Sequence, residues 1–200
     1  MSQYYLYQDQ KNCIGCLSCE VHCKTYNGVP VGPRWTQVIP VGPKMVGDLP
    51  RMSFVFMSCF HCEEPWCVAV CPTGAMRKRP GDGIVYVDAP LCVGCKACMK
   101  ACPWGAPQWN AQTGKVFKCD YCMERVDQGL KPACVTKCVT HCLHFGNACE
   151  LESMRRERFA RNMAQEFLPG PARLETPLLA GSAPKKSKLP KKKTVKRKKG

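Results

Sequence analysis

The stretch CVGCKACMKACP, residues 92–103, contains four cysteines within eleven residues and ends on Cys102-Pro103. Two residues separate each of the first three cysteines from the next, and three residues separate the third from the fourth. Thiols this dense are typical of metal sites or of disulfide frameworks. The stretch therefore indicates a thiol-based site whose fourth member is set apart from the other three.

Three further cysteine quartets repeat this pattern along the chain. Residues 13–23, CIGCLSCEVHC, have the same spacing, and residues 59–71, CFHCEEPWCVAVC, have a middle gap of four residues. Residues 119–138 begin with CDYC, end with CVTKC and have a middle gap of eleven residues. The four quartets account for sixteen of the eighteen cysteines and leave Cys142 and Cys149. Such an internal repeat predicts several related sites.

The cysteine content also indicates the cellular compartment of the protein. Without the eighteen cysteines, the apolar fraction of the 200 residues falls from 45% to 36%, which is little for a core of this size. Dense cysteines indicate disulfides in secreted proteins and metal thiolates in reducing compartments. The N-terminal sequence MSQYYLYQDQKNC has no basic n-region, apolar run or twin arginine, and no segment approaches the ~18 apolar residues that span a bilayer. We therefore expect thiolate ligands in a cytoplasmic protein that is not inserted in a membrane.

The spacing within the quartets favours iron-sulfur cubanes over zinc. A structural zinc ion takes four ligands, usually from two separated C-x2-C pairs, so three thiols at i, i+3 and i+6 exceed what it needs. In the bacterial C-x2-C-x2-C-x3-C-P pattern, the fourth cysteine ligates the other cluster of a two-cluster ferredoxin. The longer last step suggests that the chain turns into a helix, which directs this cysteine towards a second cluster. A zinc-binding scaffold is the alternative interpretation.

The quartets combine into two predicted ferredoxin modules with two 4Fe-4S clusters each. Quartets two and three both end in Cys-Pro and flank a predicted turn and a strand at Ile84 to Asp88, so they form an inner module. Quartets one and four form an outer module into which the inner one is inserted. Cys142 lies four residues after Cys138 and is an alternative ligand to it. The predicted ligand sets are Cys59, Cys62, Cys67 and Cys102; Cys71, Cys92, Cys95 and Cys98; Cys13, Cys16, Cys19 and Cys138; and Cys119, Cys122, Cys134 and Cys23.

Basic side chains and histidines accompany the predicted ligands. Five lysines adjoin them and would offset the charge of the clusters and raise their potentials: Lys24, Lys96, Lys100, Lys118 and Lys137. Four histidines are candidates for ligands or for hydrogen bonds that tune potentials, with packing or solvent exposure as the alternative: His22, His61, His141 and His144.

We predict an α+β fold with small β-sheets, short helices and long loops. Strands are expected at Tyr4 to Gln8 and at 53–58, in addition to the one that follows the turn at 80–83. A segment rich in proline and glycine is expected to be an extended connector without regular structure. The predicted divisions are residues 1–28 and 106–149 for the outer module, 29–52 for the connector, 53–105 for the inner module, 150–168 for an amphipathic helix and 169–200 for a disordered basic tail.

Charge is concentrated in that tail. The net charge is +15, and the last sixteen residues contain ten of the 30 basic residues and no acidic ones. This run would attract phosphates without sequence preference, but it has no aromatic residue that could stack on a base. We therefore expect a solvated tail, or one that rests on an acidic partner or an anionic membrane surface, and no dedicated nucleic-acid function.

The quartets and the sequence around them resemble a known family, the four-cluster ferredoxin-like subunits of the molybdenum and tungsten bis-pterin oxidoreductases (dimethyl sulfoxide reductase family). The resemblance rests on CIGCLSCEVHC, HCEEPWCVAVCPTGAM, GDGIVYVDAPLCVGCKACMKACPWGAPQWN and KCDYCMERVDQGLKPACVTKC and covers residues 3–146. It implies four 4Fe-4S clusters that relay electrons between a pterin-bearing catalytic subunit and another redox partner in anaerobic respiration. It also implies the cysteine pairing given above. The chain itself would be a non-catalytic subunit without a substrate site.

The resemblance extends to partners and leaves alternatives. A membrane anchor or a second electron-transfer subunit is an expected partner, so the protein would be cytoplasmic or membrane-associated through that partner. Export together with a partner that carries a signal is a further alternative. Two other functions are a freely diffusing polyferredoxin that serves several oxidoreductases, and the iron-sulfur subunit of a hydrogenase or a tungsten aldehyde oxidoreductase.

Overall fold

The computed structural model describes residues 3–167, which contain eight strands, six α-helices and two short 3-10 helices. The expected disordered tail lies outside the described residues. The strands are β1 Tyr4–Gln8, β2 Gln37–Val46, β3 Leu49–Met57, β4 Met76–Lys78, β5 Val85–Val87, β6 Gln108–Asn110, β7 Lys115–Phe117 and β8 Leu143–Asn147. The helices are α1 Ser18–Tyr26, α2 Trp66–Ala69, α3 Ala97–Ala101, α4 Met123–Asp127, α5 Ala133–Thr136 and α6 Ala148–Phe167, with 3-10 turns at Gln10–Asn12 and Ala89–Leu91.

The strands of the described region pair into four two-stranded antiparallel sheets, as expected for an α+β fold of this kind. Three sheets join strands that are neighbours in sequence: β2 with β3, β4 with β5 and β6 with β7. The fourth pairs β1 with β8, from Tyr4 opposite Asn147 to Gln8 opposite Leu143. The start of the chain therefore lies against the segment that follows the fourth quartet.

Three strands predicted from the sequence are present. β1 covers Tyr4–Gln8, β3 includes residues 53–57, and β5 lies within Ile84 to Asp88. Ile84, just before β5, and Val85, its first residue, are 0% and 1% exposed. The beginning of β5 therefore belongs to the core, whereas Arg77 of β4 is exposed.

The expected irregular connector at 29–52 is wrong over most of its length. Residues 37–57 form the long β2–β3 hairpin, whose strands are joined by the two-residue turn Gly47-Asp48. Its prolines are tolerated because each strand of a two-stranded sheet has one unpaired edge, and because the register shifts between Val41 and Lys44. Residues 29–36 contain no regular element.

Thiols make up much of the buried core. Ten of the twenty-two buried apolar residues are cysteines, so the few other buried apolar side chains pack around sulfur atoms. One core group combines Cys19, Cys134 and Cys138 with Val38 and Phe56 of the hairpin. The described part of the fold therefore lacks a thiol-free hydrophobic core and depends on what the thiols bind.

Helix α6 follows the region that contains the four quartets. Met1–Phe159 form one compact unit and Ala160–Gly200 another, of which only residues 160–167 are described. In the first unit, Arg158 forms an ion pair with the buried carboxylate of Asp9, and the Arg155 guanidinium lies 5.3 Å from the centre of the Tyr7 ring. The predicted apolar position Phe159 is 67% exposed. No helix in residues 3–167 is long and apolar enough to cross a membrane.

Candidate metal centres

Each quartet begins with a C-x2-C loop that has the same backbone turn. The residue before the second cysteine is left-handed in all four loops, with φ of 68° at Gly15, 47° at His61, 72° at Gly94 and 57° at Tyr121. Left-handed φ is rare outside glycine and is found at functional sites where the surroundings enforce it. The shared turn directs both thiols of each loop to one side.

The first and third quartets match closely beyond this turn. Leu17 and Lys96 are left-handed, with φ of 61° and 62°, and each is the N-cap of the helix that carries the third cysteine. The exposure of the cysteines also corresponds: the second cysteine is exposed and the third is buried in both quartets. Identical spacing in sequence therefore produces the same local structure twice.

One cavity is surrounded by thiols from quartets two and three, and we call it the inner cavity. It is lined by the four thiols of one predicted ligand set. Its empty space is about 340 Å³, part of which is open to solvent. The rest of its lining is mainly apolar. The lining residues are Cys71, Cys92, Cys95 and Cys98 with Thr73, Ala75, Met76, Val87, Val93, Lys96 and Val116.

A second cavity, here the outer cavity, is surrounded by thiols from quartets one and four. Its empty space is about 320 Å³, and it contains one thiol more than the inner cavity. The hairpin contributes Val38 and Phe56 to its wall. The lining residues are Cys13, Cys16, Cys19, Cys138 and Cys142 with Ile14, Leu17, Val38, Phe56, Thr140 and Leu143.

The third predicted set lies around Cys67 of α2. Burial raises the pKa of the Cys67 thiol to about 11, Lys118 opposes this rise, and the neighbouring thiols of the set add to it. Those neighbours are Cys59, Cys62 and Cys102. The structure thus brings thiols from quartets two and three together a second time.

The fourth predicted set joins quartets one and four around Cys23. The Asn27 side-chain amide donates to Cys23 Sγ at 3.6 Å and to Cys122 Sγ at 3.7 Å. Burial raises the pKa of Cys134, and the nearby thiols of Cys23 and Cys122 raise it further. Burial also raises the pKa of Cys119, and the nearby thiols of Cys23 and Cys134 raise it further.

Thiols of different sets are also neighbours, and these neighbours indicate the spatial order of the four sets. Cys134 packs in one core group with Cys19 of the outer cavity, and Cys119 packs in another with Cys59 of the Cys67 set. The loops of quartets two and four meet where the rings of His61 and Tyr121 stack with centroids 3.6 Å apart. The two middle sets therefore lie side by side between the two cavities.

The donor set fits iron-sulfur clusters. Burial raises the pKa of Cys98 to about 11 and of Cys19 to about 12, so their surroundings disfavour an uncompensated thiolate. Thiolates in an apolar wall require a positive partner, which the iron of a cubane supplies, and soft thiolates are its usual ligands. Among the described residues, no group of three or more His, Cys, Asp or Glu could hold a single metal ion.

Two of the basic and histidine candidates are buried among the middle sets. Lys118 is 2% exposed, and its ammonium group donates to the carbonyls of Val85 and Cys119. His61 is fully buried, and its Nδ1 accepts a hydrogen bond from the Val85 amide at 2.9 Å. Burial lowers the pKa of His61, so this ring is neutral and positions strand β5.

The other candidates lie further from the thiols or at the surface. Lys24 donates to the carbonyls of Pro30 and Pro33 at 2.9 and 2.8 Å, which ties the segment after α1 to that helix. His22 Nδ1 lies 2.9 Å from the Ser18 carbonyl within α1, and the ring of His144 stacks on Tyr7 with centroids 6.0 Å apart. These contacts are structural.

Sequence reasoning missed the polar groups that contact thiol sulfur. Thr73 Oγ1 lies 3.8 Å from Cys71 Sγ, and Thr140 Oγ1 lies 3.9 Å from Cys138 Sγ. A C-x-T motif begins at the fourth cysteine in both quartets and is visible in CPTGAM and CVTHC. Asn27 has no such signal, because its amide reaches Cys122 across 95 residues of sequence.

Comparison with known proteins agrees with this geometry. The 4Fe-4S dicluster domain matches residues 50–148, and a second 4Fe-4S dicluster family matches residues 12–75. The electron transfer subunit of thiosulfate reductase from Salmonella typhi is 44% identical over 156 residues, which cover 77% of this chain and 81% of the relative. A subunit of the anaerobic dimethyl sulfoxide reductase of Escherichia coli is 40% identical over 75% of this chain and 76% of its own length.

A third relative extends the similarity. A subunit of the sulfite dehydrogenase of Allochromatium vinosum is 35% identical over 199 residues, covering 86% of this chain and 82% of the relative. The chain belongs to the family of iron-sulfur electron-transfer subunits of the molybdenum bis-pterin oxidoreductases. Two dicluster domains correspond to four 4Fe-4S clusters, the number predicted from the quartets. The chain is thus an electron-transfer subunit rather than a freely diffusing ferredoxin.

Proposed function

We propose that this chain relays electrons through its four clusters between a molybdenum or tungsten bis-pterin catalytic subunit and a second redox partner. The observation that carries the proposal is the pair of thiol-lined cavities, each surrounded by cysteines from two quartets. Clusters held in a row let an electron cross a subunit in short steps. The chain needs no substrate site for this role, because the partner performs the chemistry.

The proposed ligands are the sixteen quartet cysteines in the four crossed sets predicted from the sequence. The lining of the two cavities supports the sets of Cys71 and Cys138, and the thiols around Cys67 and Cys23 support the other two. We further propose that the inner module, residues 53–105, is inserted within an outer module of residues 1–28 and 106–149. The pairing of β1 with β8 supports this nesting, because it closes the outer segments around the inner ones.

The order of the clusters follows from the neighbouring thiols. Electrons would enter or leave at the outer cavity, pass the Cys23 set and then the Cys67 set, and reach the inner cavity. The packing of Cys134 with Cys19 and of Cys119 with Cys59 supports this order. Lys118, buried between the middle sets, would stabilise added negative charge there.

The relatives suggest the chemistry of the catalytic partner. Thiosulfate, dimethyl sulfoxide and sulfite occur in the names of the three relatives, and all are oxygen-containing sulfur compounds. We therefore propose that the partner reduces or oxidises a small sulfur-oxygen compound. Attachment to a membrane would occur through a further partner subunit.

Metal analysis tests the cluster assignment. Anaerobically prepared protein is expected to hold about sixteen iron and sixteen acid-labile sulfide per chain. Cys102→Ala should reduce both values to about twelve, because Cys102 serves only the Cys67 set. Cys149→Ala, which removes an exposed thiol outside the quartets, is the matched control and should hold the full amount. Four zinc ions without labile sulfide would contradict the proposal.

Copurification from anaerobically grown cells tests the complex. A tagged chain should bring down a large pterin-containing subunit, and the complex should couple oxidation or reduction of thiosulfate, sulfite or dimethyl sulfoxide to a dye. Membrane fractions should contain the chain only while an anchor subunit is present. A monomer that is reduced equally by several unrelated enzymes would contradict the proposal and favour the polyferredoxin.

A further inference from the structure

The outer cavity contains a fifth thiol, which the four-ligand assignment leaves without a role. Cys142 is 3% exposed and lines the cavity together with Cys13, Cys16, Cys19 and Cys138. Its Sγ lies 3.4 Å from the Sγ of Cys138, within hydrogen-bond distance for two sulfur atoms. A cubane needs four thiolates, so the cavity has one sulfur in excess.

The two cavities show which of the two sulfurs is the extra one. Cys71 and Cys138 are each the fourth cysteine of a quartet, and each follows a short helix. A threonine two residues later lies within 4 Å of the sulfur in both cases, Thr73 at 3.8 Å and Thr140 at 3.9 Å. Cys138 therefore occupies the ligand position that Cys71 occupies in the inner cavity.

The backbone after each of these cysteines is also equivalent. The Met76 amide, five residues after Cys71, donates to Cys71 Sγ at 3.4 Å, and the Leu143 amide holds the corresponding place in the sequence, five residues after Cys138. The residue four positions after the ligand is Ala75 in the inner cavity and Cys142 in the outer one. Both are 3% exposed and both line their cavities. Cys142 thus stands where the inner cavity has only a methyl group.

These contacts decide the direction of the hydrogen bond. Cys138 occupies the ligand position, and a coordinating thiolate has no proton to donate. Cys142 must then be the donor. We propose that Cys142 is not a cluster ligand but donates an S–H···S hydrogen bond to the coordinating Cys138 thiolate, and so raises the reduction potential of the outer cluster.

The sign of the effect follows from charge. Reduction adds an electron to the cluster, and some of that charge resides on the ligating sulfurs. A hydrogen bond to such a sulfur stabilises the more negative, reduced state and raises the potential. The inner cluster has the same threonine contact but lacks the thiol donor, so this bond is one of the differences between the two ends of the row.

The inference rests on the proposed four-cluster function, and its experiment uses the full chain, prepared anaerobically with its clusters. Iron and sulfide are measured for each variant, and a redox titration followed by electron paramagnetic resonance gives the four midpoint potentials. In Cys142→Ala, the iron content should equal that of the wild type, and one potential should fall while the other three stay unchanged. Cys142→Ser keeps a donor and should restore most of the lost potential.

A reciprocal variant and a control complete the test. Ala75→Cys places a thiol at the equivalent position of the inner cavity and should raise a different one of the four potentials. Cys149→Ala removes an exposed cysteine and should change none. The effects of Cys142→Ala and Ala75→Cys should add in the double variant, because they act on opposite ends of the row.

Two results would overturn the inference. Loss of a cluster from Cys142→Ala, with iron falling to about twelve per chain, would show that Cys142 is a ligand. Four unchanged potentials in both Cys142→Ala and Ala75→Cys would show that the bond has no electronic effect. A wild-type chain without four clusters would instead contradict the proposed function, before any variant is compared.

Discussion

The inner and outer cavities have nearly the same size, the same loop geometry and a similar apolar wall, yet they differ at single positions. The inner cavity has Ala75 and Lys96 where the outer cavity has Cys142 and Leu17. Each pair occupies equivalent backbone positions, and Leu17 and Lys96 share a left-handed conformation. A common scaffold for binding a cluster therefore coexists with local substitutions that adjust the two ends of the row independently.

The largest difference is expected when the fourth ligand is removed from each cavity. Cys71→Ala should reduce the iron content from about sixteen to about twelve per chain, because the lining of the inner cavity offers no fifth thiol. Cys138→Ala should retain close to the full amount, since Cys142 Sγ is 3.4 Å away and can take over coordination. Iron and sulfide analysis of anaerobic preparations measures both.

The double variant Cys138→Ala/Cys142→Ala is the control for this substitution of ligands. It should lose as much iron as Cys71→Ala, because no thiol is then left to replace Cys138. Equal losses from the Cys138→Ala and Cys71→Ala single variants would show that Cys142 cannot coordinate and would make the two ends alike in this respect.

An intermediate effect is expected from the glycines of the two loops. Gly15 and Gly94 have φ of 68° and 72°, so alanine at either should cost about 1–2 kcal/mol in free energy of unfolding. Gly94→Ala should cost more, because its Cβ would lie 2.6 Å from the carbonyl oxygen of Gly114, which is backbone. At Gly15, the clash at 2.5 Å is with the Phe54 ring, which can rotate.

The rate at which iron-sulfur absorbance is lost in guanidinium compares these variants. Gly129→Ala is the matched control, because Gly129 has φ of 73° and nothing within 4 Å of the position that a methyl group would occupy. It isolates the cost of the left-handed backbone from the cost of the clash. A Gly94→Ala variant as stable as Gly129→Ala would show that the inner loop is more pliable than its contacts imply.

The smallest effect is expected from exchanging the helix N-cap residues. Lys96 is exposed at the inner cavity, and its ammonium group lies 4.0 Å from the centre of the Trp109 ring. Lys96→Leu should lower the potential of the inner cluster slightly, and Leu17→Lys should raise that of the outer one, because a cation favours the reduced state. Redox titrations at low and high ionic strength measure both shifts.

Salt provides the internal control for this exchange. Exposed charges are screened within about 10 Å at 0.1 M salt, so both shifts should shrink as the ionic strength rises. Shifts that do not depend on salt would indicate that the lysine acts through packing on Trp109 rather than through its charge.

The sequence predicted the thiol loops better than the elements between them. The C-x2-C loops and the helices after them are local structures, so the spacing of cysteines such as Cys92 and Cys102 is sufficient to predict them. Strand β2 and its pairing with β3 were missed because Pro40 and Pro43 argue against a strand, and only the isolation of this hairpin as a two-stranded sheet makes them acceptable. The spacing of residues therefore predicts local structure. It does not predict the strand pairing in which a proline is tolerated.

Interactions between distant segments were also beyond the sequence. The stack of His61 on Tyr121 joins loops that are 60 residues apart, and the Asn27 amide reaches Cys122 from the end of α1. Lys118 was recognised as a neighbour of a ligand, but its burial depends on the carbonyls of Val85 and Cys119. Each of these roles arises only once the four quartets have packed together.

The helical step between the third and fourth cysteine of every quartet has a consequence for how such proteins evolve. In the proposed arrangement, every quartet supplies three ligands to one cluster and one to its neighbour. Deleting a quartet therefore damages two clusters, and adding one creates no complete site. Gain or loss of a whole quartet would then change the ligands of two clusters at once. The pairs of cysteines are Cys19 and Cys23, Cys67 and Cys71, Cys98 and Cys102, and Cys134 and Cys138.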